Sequence, residues 1–218
     1  MKYPCLVLDH DDTVVNSTAT VHYPCFVEYM GKFYPHINYT LEEYFLKNFD
    51  PGVYTLFHDI IGMTDEDMQR EQTYWVDYVQ HHVPRVFDGM RDILWDYKRA
   101  GGTICVVSYS FSENILRDYR ENDLPVPDMV FGWEIPKEQR KPETHCMHRI
   151  MERFGFAPQE MLVVDDLKPG YDMAHACGAH FAAAGWANDI PQIEQFMRKN
   201  CDLYFKTVAQ LRTHLLEE

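Results

Sequence analysis

The stretch Tyr3–Ser17, YPCLVLDHDDTVVNS, decides the reading of this chain. Cys5, Leu6, Val7 and Leu8 form a short unbroken apolar run, the pattern of a strand buried on both faces. The run stops at three acids, Asp9, Asp11 and Asp12, followed by Thr13. Open α/β sheets bind their ligands at the carboxyl ends of such strands. Asp9 and Asp11 are two apart, so they share a face if the segment is extended. Unpaired, close carboxylates repel until one binds a proton. A hard divalent cation such as Mg²⁺ removes that conflict, because it prefers oxygen ligands. The plainer alternative is a solvated acidic turn after a strand.

The composition sets bounds around this stretch. A length of 218 residues suits one compact domain or a domain with a modest insert. A hydrophobic fraction of 46% is enough to build a core. The formal charge of −14 argues against nucleic acid, which needs Lys and Arg to neutralise phosphates, and against an anionic membrane surface. A small phosphate ester remains compatible if a metal and a few local donors reverse the sign inside the pocket. The six cysteines are scattered with no CxxC, which points to reduced thiols and a cytoplasmic protein. The first strand begins so early that no signal peptide is expected, and no run is long enough to span a membrane.

From about Val21 to Val83 the chain is rich in Tyr, Phe, His and Glu and reads as helices. The expected segments are Tyr23–Phe33, a second opened by the Thr40–Glu43 capping box, a third from Pro51 to Ile61, and a fourth capped by Thr64–Asp67 that ends near His82. From Arg85 the rhythm is that of strands alternating with helices, which implies a parallel sheet. The expected strands are Thr103–Val107, Met129–Phe131, Met161–Val164, His180–Ala183 and Leu203–Phe205. The expected helices are Gly89–Ala100, Ser112–Glu121, Pro142–Phe154, Tyr171–Cys177, Pro191–Lys199 and Thr207–Leu216.

Three later positions repeat the theme of the first strand. Val106-Val107 runs into Ser108, Tyr109 and Ser110 before a helix start, where a hydroxyl and free N–H groups suit a phosphate, although Ser is also a routine cap. Lys141 precedes Pro142 at the opening of another helix, and Met161–Val164 ends in the pair Asp165-Asp166. In this order the four segments resemble the motifs of the haloacid dehalogenase-like phosphohydrolases: D-x-D-x-T at Asp9–Thr13, a strand ending in Ser at Ser108, Lys-Pro at Lys141-Pro142, and a strand ending in an acidic pair at Asp165-Asp166. The resemblance covers the whole chain. It implies an α/β, Rossmann-like three-layer core with a mostly parallel sheet, formed by residues 1–14 and 86–218, and an inserted all-helical cap over 15–85.

The resemblance also implies roles. Asp9 is the expected nucleophile, forming an aspartyl-phosphate. Asp11 is the expected general acid and then base. Ser108, Tyr109 and Lys141, with Asp9, are expected to hold the phosphoryl group. Mg²⁺ is expected on the Asp9 carboxylate, the Asp11 carbonyl and Asp166, with Asp165 binding directly or through water. Asp12 is expected to be structural, and His10, where relatives usually carry an apolar residue, to contribute mainly backbone beneath the cap. Gly170 stands where some relatives have a second acid, and Asp172 is expected on a helix surface. Lys168 is expected to be solvated, and the pairs His145/His148 and His175/His180 to pack rather than bind metal. In the cap, His22 and Lys47 are candidates to face a substrate.

The implied activity is Mg²⁺-dependent hydrolysis of a small phosphomonoester. A sugar-phosphate mutase of the β-phosphoglucomutase kind shares all four motifs. A dehalogenase has no use for Asp11 or the acidic pair, and a phosphonoacetaldehyde hydrolase requires a cap lysine in a context that Lys32 and Lys47 do not show. A small-molecule-binding module without turnover is disfavoured by the intact set of Asp9, Asp11, Ser108, Lys141 and the acidic pair. The substrate and the oligomeric state are not encoded in any of these motifs.

Overall fold

A computed structural model of the chain describes residues 2–216. The apolar runs fold as strands: β1 (Cys5–Leu8), β2 (Thr103–Val107), β3 (Met129–Phe131), β4 (Met161–Asp165), β5 (His180–Ala184) and β6 (Leu203–Phe205). They form one sheet in the order β3-β2-β1-β4-β5-β6. Every pairing is parallel, so the sheet is all-parallel where a mostly parallel one was expected. The chain lays down β1, β2 and β3 in one direction and then returns to place β4 on the other side of β1. The order therefore reverses between β1 and β4, the place where sheets of this kind open a crevice for ligands.

Described residues fall into two compact units, one joining the residues up to Asn16 to those from Arg85 onward, the other comprising Ser17–Pro84. In the first unit, the outgoing and returning passes run side by side. Val15 bridges Val86 in antiparallel sense, and the Asn16 N–H donates to the Arg85 carbonyl at 2.9 Å.

The second unit contains α1 (Tyr23–Phe33), α2 (Leu41–Phe49), α3 (Val53–Thr55) and α4 (Asp65–His81), with no strand among the described residues. Both expected capping boxes form. Thr40 accepts the Glu43 N–H at 3.2 Å while Glu43 accepts the Thr40 N–H at 2.7 Å, and Thr64 and Asp67 do the same for α4. The core of this unit is aromatic: Phe26 lies 4.7 Å from Tyr44 and 6.0 Å from Phe57, ring centre to ring centre. The third expected helix is not continuous. Gly52, at φ 100°, separates Pro51 from the helical residues, and α3 widens after one turn into a π-helical segment over Leu56–Ile60. Its Ile61 N–H reaches the Leu56 carbonyl at 2.9 Å, and the segment buries Leu56 and Phe57.

The first unit carries α5 (Met90–Arg99), α6 (Ser112–Glu121), α7 (His145–Phe154), α8 (Lys168–Cys177), α9 (Pro191–Asn200) and α10 (Val208–Leu216). With every pair parallel and the order reversing at β1, the right-handed crossovers that such connections follow put helices on both faces of the sheet, giving three layers. Leu6, Leu8, Ile104, Val106, Leu162 and Val164 from the central strands pack with Leu94 and Tyr97 of α5 and Leu211 of α10. Truncating one of these fully buried leucines to alanine costs about 2–5 kcal/mol. Two helix starts differ from expectation. Helix α7 begins at His145 rather than Pro142, because residues 140–143 close a turn through the Glu143 N–H and the Arg140 carbonyl at 2.8 Å. Helix α8 begins at Lys168 rather than Tyr171, with Pro169 in its first turn where no N–H is needed. All six cysteines are free thiols.

Candidate active site

Parallel register delivers the acids of two strands to the same level. Leu8 pairs with Val164, and the Asp9 N–H continues the ladder to the Val164 carbonyl at 2.9 Å. Asp9, Asp165 and Asp166 consequently each offer a carboxylate oxygen within 4.8 Å of the others. The turn after the helical segment Lys137–Gln139 brings Lys141 into the same place, although it lies far from both strands in sequence. Its Nζ donates to Asp9 Oδ1 at 2.7 Å and to Asp165 Oδ2 at 2.6 Å. Asp9, Lys141, Asp165 and Asp166 are each at most 8% exposed.

The two adjacent acids are held differently. Asp165 has both oxygens engaged, Oδ2 by Lys141 and Oδ1 by the Leu167 N–H at 2.8 Å. Asp166 keeps Oδ1 buried with no hydrogen-bond partner. Gly170 is explained by its neighbour: a Cβ there would fall 2.2 Å from Asp165 Oδ2, so the helix leaves room for that carboxylate by carrying no side chain.

Electrostatics mark the same cluster. Burial, opposed by Lys141 and reinforced by Asp165 and Asp11, pushes Asp9 up to about 7. Asp166 is raised well above the ordinary carboxylate range by burial, then by Asp12, Asp165 and Asp9. Burial alone would favour a neutral amine at Lys141, but Asp165 and Asp9 together hold its ammonium above the usual value. The charge beside Asp166 from Asp12 was not anticipated. Asp12 is 4% exposed and adopts φ 56°, a conformation Asp tolerates better than most residues, with its N–H bonded to the Val15 carbonyl at 2.8 Å. Asp9, Asp165 and Asp166 thus crowd together, Lys141 bonds the first two, Asp12 adds its charge beside the third, and one Asp166 oxygen is left without a hydrogen-bond partner. An oxygen-rich set of this kind suits Mg²⁺.

The segment after β2 completes the site. Ser108 is 4% exposed, its N–H is bonded to the Phe131 carbonyl at 3.0 Å, and its Oγ accepts the Ser110 N–H at 3.2 Å. Tyr109 directs its hydroxyl to the Lys141 carbonyl at 2.6 Å and its ring lies 5.0 Å from Lys141 Nζ, so it braces the lysine. Burial, opposed by Lys141, raises the Tyr109 hydroxyl to about 12 and keeps it a donor. Ser110 donates to Asp11 Oδ2 at 2.5 Å. Sequence reasoning treated Ser110 only as part of a helix start; a second hydroxyl two residues after Ser108 was the available signal. At the start of α6 the Ser112 N–H is bonded to Glu134 Oε2 at 3.1 Å, so this donor is committed to the protein's own carboxylate.

Other candidates lie elsewhere. His10 is not a mere backbone contributor: it is 1% exposed, and its Nε2 sits 3.0 Å from Asp118 Oδ2 on α6, whose other oxygen is bound by Arg117. The buried pair ties the turn after β1 to that helix. Lys168 lies over the Phe196 ring at 4.7 Å, and Asp172 is exposed on α8. His175 packs on Tyr171 and His180 on Tyr3. Among the described residues the metal-type cluster is Asp9, Asp165 and Asp166, and no such cluster includes these histidines or His145 and His148. His22 accepts the Trp75 Nε1–H at 3.1 Å within the helical unit.

Residues 6–184 match the family model described as haloacid dehalogenase-like hydrolase. The chain belongs to that family. The hydrolase fold is shared with a solved haloacid dehalogenase-like protein from Bacteroides fragilis, at a TM-score of 0.79 and 21% identity, covering 96% of this chain and 100% of the other. A protein assigned as a phosphoglycolate phosphatase from Lactobacillus delbrueckii subsp. bulgaricus matches at 0.76 and 19% identity, with 100% of each chain covered. CbbY from Rhodobacter sphaeroides, solved in complex with xylulose-(1,5)bisphosphate, matches at 0.68 and 14% identity, covering 96% of each chain. No curated protein matches the chain. No helix among the described residues is long and apolar enough to cross a membrane.

Proposed function

We propose that this hydrolase is a Mg²⁺-dependent phosphatase of small phosphomonoesters that works through an aspartyl-phosphate, an acyl phosphate on Asp9. The observation that carries the reading is the buried Asp166 oxygen without a partner, beside Asp9 and Asp165 and short of positive charge. Asp9, Asp166 and the Asp11 carbonyl are the groups that would hold Mg²⁺, which when bound supplies charge neutralisation next to the phosphoryl oxygens. Asp165, which also accepts from Lys141 and the Leu167 N–H, would join that set directly or through a water.

In the first half-reaction an Asp9 oxygen forms a bond to phosphorus as the ester P–O bond breaks, and Asp11 gives its proton to the departing oxygen. In the second, a water oxygen bonds phosphorus, its proton passes to Asp11, and the electron pair of the breaking bond returns to Asp9. Lys141 and Ser108 hold the phosphoryl oxygens, where charge spreads in the transition state. The helical unit, Ser17–Pro84, is assigned the choice of substrate. Relatives solved or assigned with bisphosphate and phosphoglycolate support a small phosphorylated metabolite as the substrate class. A panel of sugar phosphates, phosphoglycolate and nucleotides, assayed for inorganic phosphate with Mg²⁺ and with EDTA, tests the reading. Release from at least one ester that stops in EDTA is expected; full activity in EDTA contradicts the metal role.

A further inference from the structure

Ser110 lies on the connection between β2 and α6 and is 7% exposed. Its Oγ donates to Asp11 Oδ2 at 2.5 Å, the short end of the range for a hydroxyl bonded to an ionised carboxylate. The backbone around it is fixed. The Ser110 N–H donates to Ser108 Oγ at 3.2 Å, and its carbonyl accepts the Trp133 N–H at 2.9 Å. Gly132 stands directly behind: a Cβ there would fall 2.7 Å from the Ser110 carbonyl oxygen and 2.5 Å from the Ser112 nitrogen. At the other end, the Asp11 backbone is bridged to Val15. A fixed hydroxyl therefore grips a half-buried carboxyl whose own backbone is fixed.

The choice of hydroxyl has chemical content. It carries one donor and two acceptor lone pairs, so it can donate to a carboxylate and accept from a carboxylic acid. An ammonium or guanidinium in its place could only donate, and would serve the ionised form alone. A group that gives a proton in one half-reaction and takes one in the next needs a partner that holds it in both states.

The geometry points to Ser110 as a positioning residue for Asp11, aiming its carboxyl at the departing oxygen in the first half-reaction and at water in the second. This role deepens the phosphatase reading and rests on it. It differs from the phosphate-binding role assigned to Ser108, since the Ser110 hydroxyl is spent on an acid. The step served is the one written above: the Asp11 proton ends on the leaving oxygen as the ester bond breaks, and a water proton ends on Asp11 as the Asp9–phosphorus bond breaks.

The test compares wild type, Ser110→Ala and Ser110→Thr in the whole chain with Mg²⁺, on an alkyl phosphate and on acetyl phosphate, whose leaving group needs no proton. Ser110→Ala should lower kcat on the alkyl ester about 10- to 100-fold, the scale of a misplaced catalytic group, while KM and inhibition by inorganic phosphate stay unchanged. With acetyl phosphate the variant should be phosphorylated as fast as wild type but lose phosphate slowly, so that phosphorylated Asp9 accumulates in quenched samples. Ser110→Thr, which keeps the hydroxyl, should restore turnover. An effect confined to KM or phosphate inhibition, equal slowing of phosphorylation by both substrates, no effect at all, or a Thr variant as slow as Ala would each overturn the assignment. In all of those cases wild type still carries phosphate on Asp9; a wild type that never does overturns the underlying reading as well.

Discussion

The strand-end site and the helical unit solve opposite problems with the same amino acids. At the strand ends, Asp9, Asp12, Asp165 and Asp166 are all more than nine-tenths buried, and the Lys141 ammonium bonds two of them, Asp9 and Asp165. In the helical unit the core cluster is aromatic and aliphatic with Met30 and Met63, and acids such as Glu43 and Asp67 sit at exposed helix starts where they satisfy free N–H groups. The first arrangement costs stability and the second adds to it. Clustered buried charge is tolerated where it does chemistry, which is why conflict between local rules marks the site.

Removing the ammonium should break the comparison most severely. Lys141→Ala leaves Asp9 and Asp165 without their shared counter-charge, and losing one partner of a buried pair costs about 3–5 kcal/mol. Phosphate release should also disappear. Urea unfolding should show a larger loss at pH 8 than at pH 5, because the orphaned acids can bind protons at the lower pH. Equal losses at both pH values would mean that the pair carries little charge energy.

Supplying a cation should do the reverse. Asp9, pushed up to about 7 in the folded protein, lies well above the ordinary carboxyl value of about 3.9. A raised carboxyl contributes stability that is fully present below the unfolded value and is lost as pH rises through the folded one. Metal-free protein should therefore weaken between about pH 4 and pH 7 through this group. Mg²⁺ at a hundred times its Kd should stabilise by about 2.7 kcal/mol. Melting temperatures with Mg²⁺ and with EDTA should differ more at pH 8 than at pH 5. No Mg²⁺ effect at pH 8 would contradict a metal site here.

The helical unit has one acid that behaves like those of the site. Burial, opposed by His22, raises Glu71 to about 7. Glu71→Gln should stabilise at pH 8 by an amount on the order of 1–2 kcal/mol, discounted for partial exposure, and hardly at all at about pH 3, below the unfolded value, where the carboxyl is neutral in both states. The smallest effect belongs to an exposed cap. Thr40→Ala removes the acceptor for the Glu43 N–H and should cost about 1 kcal/mol by thermal unfolding, with the catalytic constants unmoved.

What the sequence made legible follows the same division. Unbroken apolar runs that end in acids located β1 and β4, and the alternation of strand and helix implied the parallel sheet that makes their ends neighbours. Capping boxes at Thr40 and Thr64 fixed two helix starts to the residue. Pairings between distant segments were not legible, because no local pattern encodes them. Ser110 with Asp11, Tyr109 with the Lys141 carbonyl, and His10 with Asp118 join residues 99, 32 and 108 positions apart. The interruption at Gly52 and the π-helical turn after it were hidden for a related reason: helical periodicity persists in sequence where the backbone leaves the regular path.

The central claim is that Asp9 takes the phosphoryl group and Asp11 moves the protons. Asp11→Asn leaves Asp9 and its bond to Lys141 in place while removing the acid and base, a loss worth about 10²–10⁴-fold for each proton transfer. Treated with acetyl phosphate and Mg²⁺, rapidly quenched and mapped by peptide mass spectrometry, this variant should carry phosphate on Asp9. Phosphate on Ser108 or on a histidine, or turnover by Asp9→Asn equal to that of wild type, would contradict the account.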